Sequence, residues 1–127
     1  MNFQPKFYRC AHCGQIVSMV KETGVPVICC GAPMQLLVPN TTDAAQEKHV
    51  PVVTRNGDEL TVTVGSALHP MLEEHHIEWV FVHTANGGQR RILDVTGAPE
   101  AVFCLTQGEP VEVYAYCNLH GLWKASV

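Results

Sequence analysis

Four cysteines stand close together near the start of the chain, in Cys10-Ala11-His12-Cys13-Gly14 and in the adjacent pair Cys29-Cys30. A Cys-x-x-Cys spacing lets two thiolates face one ion, and Gly14 frees the backbone to turn tightly behind them. Adjacent cysteines have Cα atoms only about 3.8 Å apart, and in extended backbone their side chains diverge. Both can therefore reach one metal only through a local turn at Cys29-Cys30, and the tetrahedron should be distorted. Four thiolates suit iron or zinc. The spacing alone leaves both open, and the plainer reading is a structural zinc that staples a small domain. His12 lies inside the knuckle, is not needed as a fifth ligand and is expected on the surface.

A second set is spread over the rest of the chain. Cys117-Asn118-Leu119-His120-Gly121 puts a thiolate and an imidazole three residues apart, a chelating turn at the end of a strand. His69 precedes Pro70 and is thereby kept out of the helical region. His75 comes six residues later, and His49 follows a polar stretch. Isolated histidines are more often surface or satisfied core residues than ligands, and His76 and His83 are read that way. Cys104, within Ala101-Val102-Phe103-Cys104-Leu105, is expected to be a buried apolar residue.

The elements that must hold these groups are legible from patterning. Residues 1–36 are too few to rest on an apolar core and need a staple. Residues 37–48 read as a polar linker with one helical turn capped by Thr41 or Thr42. Residues 49–127 read as all β. Leu60, Val62 and Val64 alternate with threonines; Ile77, Trp79 and Phe81 alternate with Glu78, Val80 and Val82; Val111, Val113 and Ala115 alternate with Glu112, Tyr114 and Tyr116. Turns are expected at Asn56-Gly57-Asp58, Asn86-Gly87-Gly88, Gly97-Ala98-Pro99 and Gly108-Glu109-Pro110. Strands near 50–54, 59–64, 77–83, 89–95, 100–105, 110–116 and 121–125 suit a small sandwich.

The formal net charge of -4 argues against nucleic acid as a partner and offers no polybasic membrane patch. The opening residues carry no apolar signal segment, and no apolar run is long enough to cross a membrane. A cytoplasmic location is expected. There thiols stay reduced, and cysteine clusters bind metal more often than they form disulfides.

The arrangement Glu47-Lys48-His49-Val50-Pro51, His69-Pro70-Met71, His75-x-Ile77-x-Trp79 and Cys117-Asn118-Leu119-His120-Gly121-x-Trp123-Lys124 resembles the desulfoferrodoxin, or superoxide reductase, family. The first segment resembles its desulforedoxin-like domain, so the likeness covers essentially the whole chain and points to the two-iron class. It implies an all-β protein, with a small desulforedoxin-like β domain (1–36), a linker (37–48) and an immunoglobulin-like antiparallel β-sandwich (49–127), assembled as a homodimer. It implies two iron ions per chain. Cys10, Cys13, Cys29 and Cys30 match the ligands of a rubredoxin-type iron, where zinc can substitute. His49, His69, His75 and His120 match the equatorial imidazoles of a catalytic iron, and Cys117 matches its axial thiolate. Leu122 departs from the many relatives that carry a second histidine there, but it is not a ligand position.

The implied activity is one-electron reduction of superoxide to hydrogen peroxide, without dioxygen as a product. Four imidazoles and one thiolate leave iron one open position, the mark of a catalytic site. Lys48 would add positive charge for an anionic substrate and order a water that delivers a proton. By the resemblance, Glu47 supplies a carboxylate to the resting ferric ion, whose hardness suits oxygen. Rubredoxin or a similar small redox protein is the implied electron donor. Three other readings stay open: an electron-transfer protein, a superoxide dismutase and a zinc-stapled binding module.

Overall fold

The computed structural model describes residues 4–106, 109 and 111–126. The chain divides into two compact units after Val38. In the first, strands β1 (Phe7–Arg9), β2 (Ile16–Ser18) and β5 (Gln35–Leu36) form an antiparallel sheet with β1 in the middle, while β3 (Ile28–Cys29) and β4 (Ala32–Pro33) form a separate hairpin. Among the described residues of this unit only Phe7, Cys10 and Met34 have buried side chains. Val20, Val25, Ile28, Leu36 and Val38 are exposed.

The second unit begins with a helical turn, α1 (Gln46–His49). The expected cap at Thr41 or Thr42 does not start it: Ala45 holds the N-cap position and no side chain caps the turn. Backbone bonds do the work instead. Val50 N donates to Gln46 O and Ala67 N donates to Glu47 O. A single turn held from outside needs no local start signal, because helix nucleation is costly on its own.

Among the described residues seven strands follow: β6 (Pro51–Asn56), β7 (Glu59–Val64), β8 (Ile77–Thr84), β9 (Gly87–Ile92), β10 (Glu100–Cys104), β11 (Glu112–Cys117) and β12 (Gly121–Ser126). They form two antiparallel sheets, of order β10-β7-β6 and β12-β11-β8-β9. The chain crosses between sheets after β7 and after β9 and returns after β10. This is the immunoglobulin-like pattern of a three-stranded sheet facing a four-stranded one. Leu60, Val62 and Val64 from β7, Val80 and Val82 from β8, Phe103 from β10, and Val113 and Ala115 from β11 fill the space between the sheets. Each fully buried Val or Leu contributes roughly 1.5–3 kcal/mol, so this unit carries its own core.

All seven sandwich strands lie where the alternation places them, with shifts at their ends. The turn expected at Asn86-Gly87-Gly88 is instead a two-residue loop, Ala85-Asn86, because Thr84 pairs with Gly87 and β9 starts there. Gly88 is the glycine that packing requires: a Cβ on it would lie 2.2 Å from the Phe81 ring across the sheet. Gly108 and Pro110 of the last expected turn lie outside the described residues.

Ile77, Trp79 and Phe81 do not share one face. Tyr116 pairs with Trp79 while Cys117 pairs with Ile77, so Glu78 is an extra residue in a β-bulge. One inserted residue reverses the alternation. Ile77 therefore joins Val80 and Val82 in the core, and Trp79 turns to the outer face, where its ring stacks on Tyr116 with centroids 5.6 Å apart. His83, on the same outer face, is buried and pairs with the Glu112 carboxylate at 3.1 Å. Glu112 also binds Lys124 at 2.7 Å, and these two partners hold its carboxyl below the usual range despite the opposing effect of burial. Cys104 is exposed, contrary to expectation: the period of β10 sends Ala101 and Phe103 inward, and Cys104 follows Phe103 outward.

Candidate metal centres

The first cluster is built from two hairpin ends. Cys10 N donates to Gln15 O and Gly14 N to Cys10 O, which folds residues 10–15 into a tight knuckle between β1 and β2. Gly14 has φ +82, the left-handed region that favours glycine. The turn required at Cys29-Cys30 is present. Cys29 pairs with Ala32, so Cys30 and Gly31 form a two-residue loop, with φ of 52 and 77. Positive φ at both central residues is the type I′ hairpin geometry. It swings the second of two adjacent thiols back toward the first.

The ligand-capable sulfurs of Cys10, Cys13, Cys29 and Cys30 all lie within 4.8 Å of one another. No disulfide joins them. The Cys13 amide lies 3.4 Å from the Cys10 sulfur and, as the largest influence, helps hold that thiol down at about 6. Cys29, crowded first by the sulfur of Cys13 and then by that of Cys10, is pushed up to about 12. Four thiolates at this spacing repel one another unless a cation sits among them. The cluster therefore fits a tetrahedral thiolate metal site. His12 is exposed, as expected.

The second cluster draws on three parts of the sandwich. His49 ends α1, His69 and His75 lie in the loop between β7 and β8, Cys117 ends β11, and His120 is the last residue of the three-residue turn before β12. The donor atoms of His49, His69, His75 and Cys117 lie within 4.8 Å of one another. His120 Nδ1 is 3.2 Å from His49 Nε2 and 3.8 Å from Cys117 Sγ. All five residues named from the sequence are thus brought together.

Their protonation follows from their other contacts. His49 Nδ1 donates to Ala45 O at 2.7 Å, and His69 Nδ1 donates to Pro70 O at 2.7 Å. A carbonyl can only accept, so both rings carry their proton on Nδ1 and turn a bare Nε2 inward. Those two Nε2 atoms stand 3.2 Å apart. Burial lowers the pKa of both rings, His69 to about 4, so a shared proton is not what holds them. The buried Nε2 of His75 has no hydrogen-bond partner among the described residues. Bare lone pairs converging on one point, with a buried orphan nitrogen among them, fit a metal ion. Cys117 is fully buried and belongs to the core. Burial pushes its thiol up, opposed by the backbone N–H groups of Leu119 and His120; a metal cation at the site would favour the thiolate.

Glu47 and Lys48 lie exposed on the helical turn just before His49. Both act on the His49 ring through their charge. Their backbone is held by residues that the spacing of ligands did not reveal. Ala67 N and the Ser66 hydroxyl both donate to Glu47 O. Gly65 has φ +87, and a Cβ there would lie 2.3 Å from Ala67 O and 2.7 Å from Lys48 O. Gly65→Ala should therefore destabilise the sandwich by about 3 kcal/mol, combining left-handed strain with a backbone clash. A denaturation midpoint within error of the parent's would contradict this.

Trp123 is a further such residue. Its ring stacks on His49 with centroids 4.8 Å apart, and its indole N–H donates to His120 O. A tryptophan two residues past the Gly121 turn was visible in the sequence, but its partners were not.

The comparisons with known proteins bear on both clusters. Residues 41–126 match the desulfoferrodoxin domain, and residues 4–37 match the desulfoferrodoxin N-terminal domain. The chain is 44% identical over 122 residues to the desulfoferrodoxin of Nitratidesulfovibrio vulgaris, which covers 96% of each chain. The crystal structure of the superoxide reductase from Treponema pallidum superposes with a TM-score of 0.80 at 40% identity, covering 97% of this chain and 99% of that one. A superoxide reductase described as one-iron, from Giardia intestinalis, matches with a TM-score of 0.57 at 27% identity and covers only 64% of this chain. Both units, each with its own cluster, are matched by domains of one family, and the chain belongs to the desulfoferrodoxins.

Proposed function

We propose that the protein is a superoxide reductase. It reduces superoxide by one electron to hydrogen peroxide at an iron held by His49, His69, His75, His120 and Cys117. The observation that carries this reading is the convergence of bare imidazole nitrogens around a buried cysteine, beside an exposed turn that bears Lys48. Cys10, Cys13, Cys29 and Cys30 hold a second iron, and the boundary between the two domains falls within the expected linker of residues 37–48, after Val38.

When bound, iron would supply the electron and draw in a small anion. The chain's own residues do the rest. Cys117 lies in the core, while Glu47 and Lys48 are exposed on the turn that leads into His49. Lys48 attracts superoxide against the net charge of -4 and orders water for proton delivery. Glu47 would offer a hard carboxylate oxygen to ferric iron. The exposed apolar side chains of the first unit support a homodimer. A rubredoxin-like protein is the proposed donor, and the cytoplasm the proposed location.

Counting peroxide formed per superoxide consumed, with a reduced donor present, tests the reading. A ratio near one supports a reductase; a ratio near one half with dioxygen evolved identifies a dismutase, and a colourless zinc-only protein rules out both. Lys48→Ile should slow the bimolecular reaction several-fold in pulse radiolysis and flatten its dependence on ionic strength. An unchanged rate and salt slope would remove Lys48 from substrate steering.

A further inference from the structure

We infer that Asn118, which lies between two donors of the second cluster, is the positioning residue for His75. The inference rests on the reading of that cluster as a metal centre.

The five donors are not held in the same way. His49 and His69 are each oriented by a carbonyl that accepts from Nδ1. Cys117 and His120 share one short turn, and the Trp123 indole binds the His120 carbonyl. His75 has neither device. Its Nε2 is the buried orphan. The aim of such a ring can be set through the backbone that carries it.

The backbone on both sides of His75 is gripped by one amide. Asn118 Oδ1 accepts from His76 N at 2.9 Å, and Asn118 Nδ2 donates to Glu74 O at 3.1 Å. Asn118 N also donates to His76 O at 3.2 Å. His75 itself closes a tight turn on Leu72, with N–H to carbonyl bonds in both directions of 3.1 and 2.9 Å. The segment that presents His75 is thus pinned, residue by residue, to the turn that presents Cys117 and His120. The β-bulge at Glu78 begins just beyond it, so the ladder of β8 and β11 is out of step where the clamp takes over. Only an amide side chain supplies one acceptor and one donor at this spacing.

The test uses the full chain, labelled with nitrogen-15 at histidine and loaded with zinc alone, read by long-range proton–nitrogen spectra of the imidazoles. In the parent, Nε2 of His49, His69 and His75 and Nδ1 of His120 should take metal-bound shifts. In Asn118→Ala, the His75 resonance should leave that position while the other three keep it, and zinc loss to a chelator, followed at the histidine resonances, should be about 10-fold faster. Asn118→Asp keeps the acceptor for His76 N and loses the donor to Glu74 O, so the same selective change should be present but smaller. It alone decides the matter if the alanine variant does not fold. His75 staying metal-bound at an unchanged rate overturns the inference, and so does loss of all four rings together. A parent chain whose rings do not shift with zinc overturns the metal-centre reading, and this inference with it.

Discussion

Cys10→Ala in the full chain should unfold the first unit while the sandwich stays intact. The reason lies in what holds each unit together. Residues of β1 to β5 form strands of two or three residues, and only Phe7, Cys10 and Met34 are buried among those described. So few apolar contacts do not offset the entropy of ordering the backbone. One of the three is itself a member of the thiol cluster, so the change removes a core contact and a ligand at once. In small domains of this kind, metal affinity is folding free energy. Amide exchange in β1 and β2 should rise to the unprotected rate in the variant, and a chelator should reproduce this in the parent. Protection in β7, β8 and β11 should not change, because that unit rests on its own core. If β1 and β2 remain protected after both treatments, the cysteines do not staple this unit. Superoxide turnover by the same variant separates two roles of the first cluster: turnover kept at the parent's level with a chemical donor means that the second cluster works without it.

Much of this organisation could be read before any coordinates. Cys29-Cys30 demanded a turn because extended backbone sends neighbouring side chains apart, and the turn is there with Cys30 at φ 52. The five donors of the second cluster were legible because the spacing of Cys117 and His120 and the motif around His69 and His75 match a family pattern. Three features were not legible, each for a physical reason. The bulge at Glu78 was hidden because Ile77, Trp79 and Phe81 are all apolar, so the pattern reads equally well with either set facing inward. The exposure of Cys104 was missed because an apolar run cannot say which of its residues the pleat turns outward. The supports of the second centre, Gly65, Ala67, Asn118 and Trp123, act mainly through backbone atoms or through contacts between distant elements, and no local spacing encodes those.

Cys117→Ser should lower superoxide reduction at least about 100-fold and leave the sandwich folded. Removing an outer partner of a metal ligand already costs 10–100-fold, and here a donor itself is changed. The substitution is nearly isosteric, and the backbone N–H groups of Leu119 and His120 that act on the sulfur can bond a hydroxyl equally well. Packing therefore changes little, and the stability loss should stay near 1–2 kcal/mol. The chemistry changes a great deal. Burial pushes the Cys117 thiol up, and a cation held by His49, His69, His75 and His120 would return it to the thiolate. A serine hydroxyl is far harder to ionise, and its oxygen is a hard donor where sulfur is soft and polarizable. The electron density that a thiolate would lend to a bound metal ion is what the variant loses. Thermal melting and pulse radiolysis on the same preparation separate the two effects. A folded, fully metallated Cys117→Ser that reduces superoxide within a few-fold of the parent would mean that the imidazoles suffice and that Cys117 serves only to bind the metal.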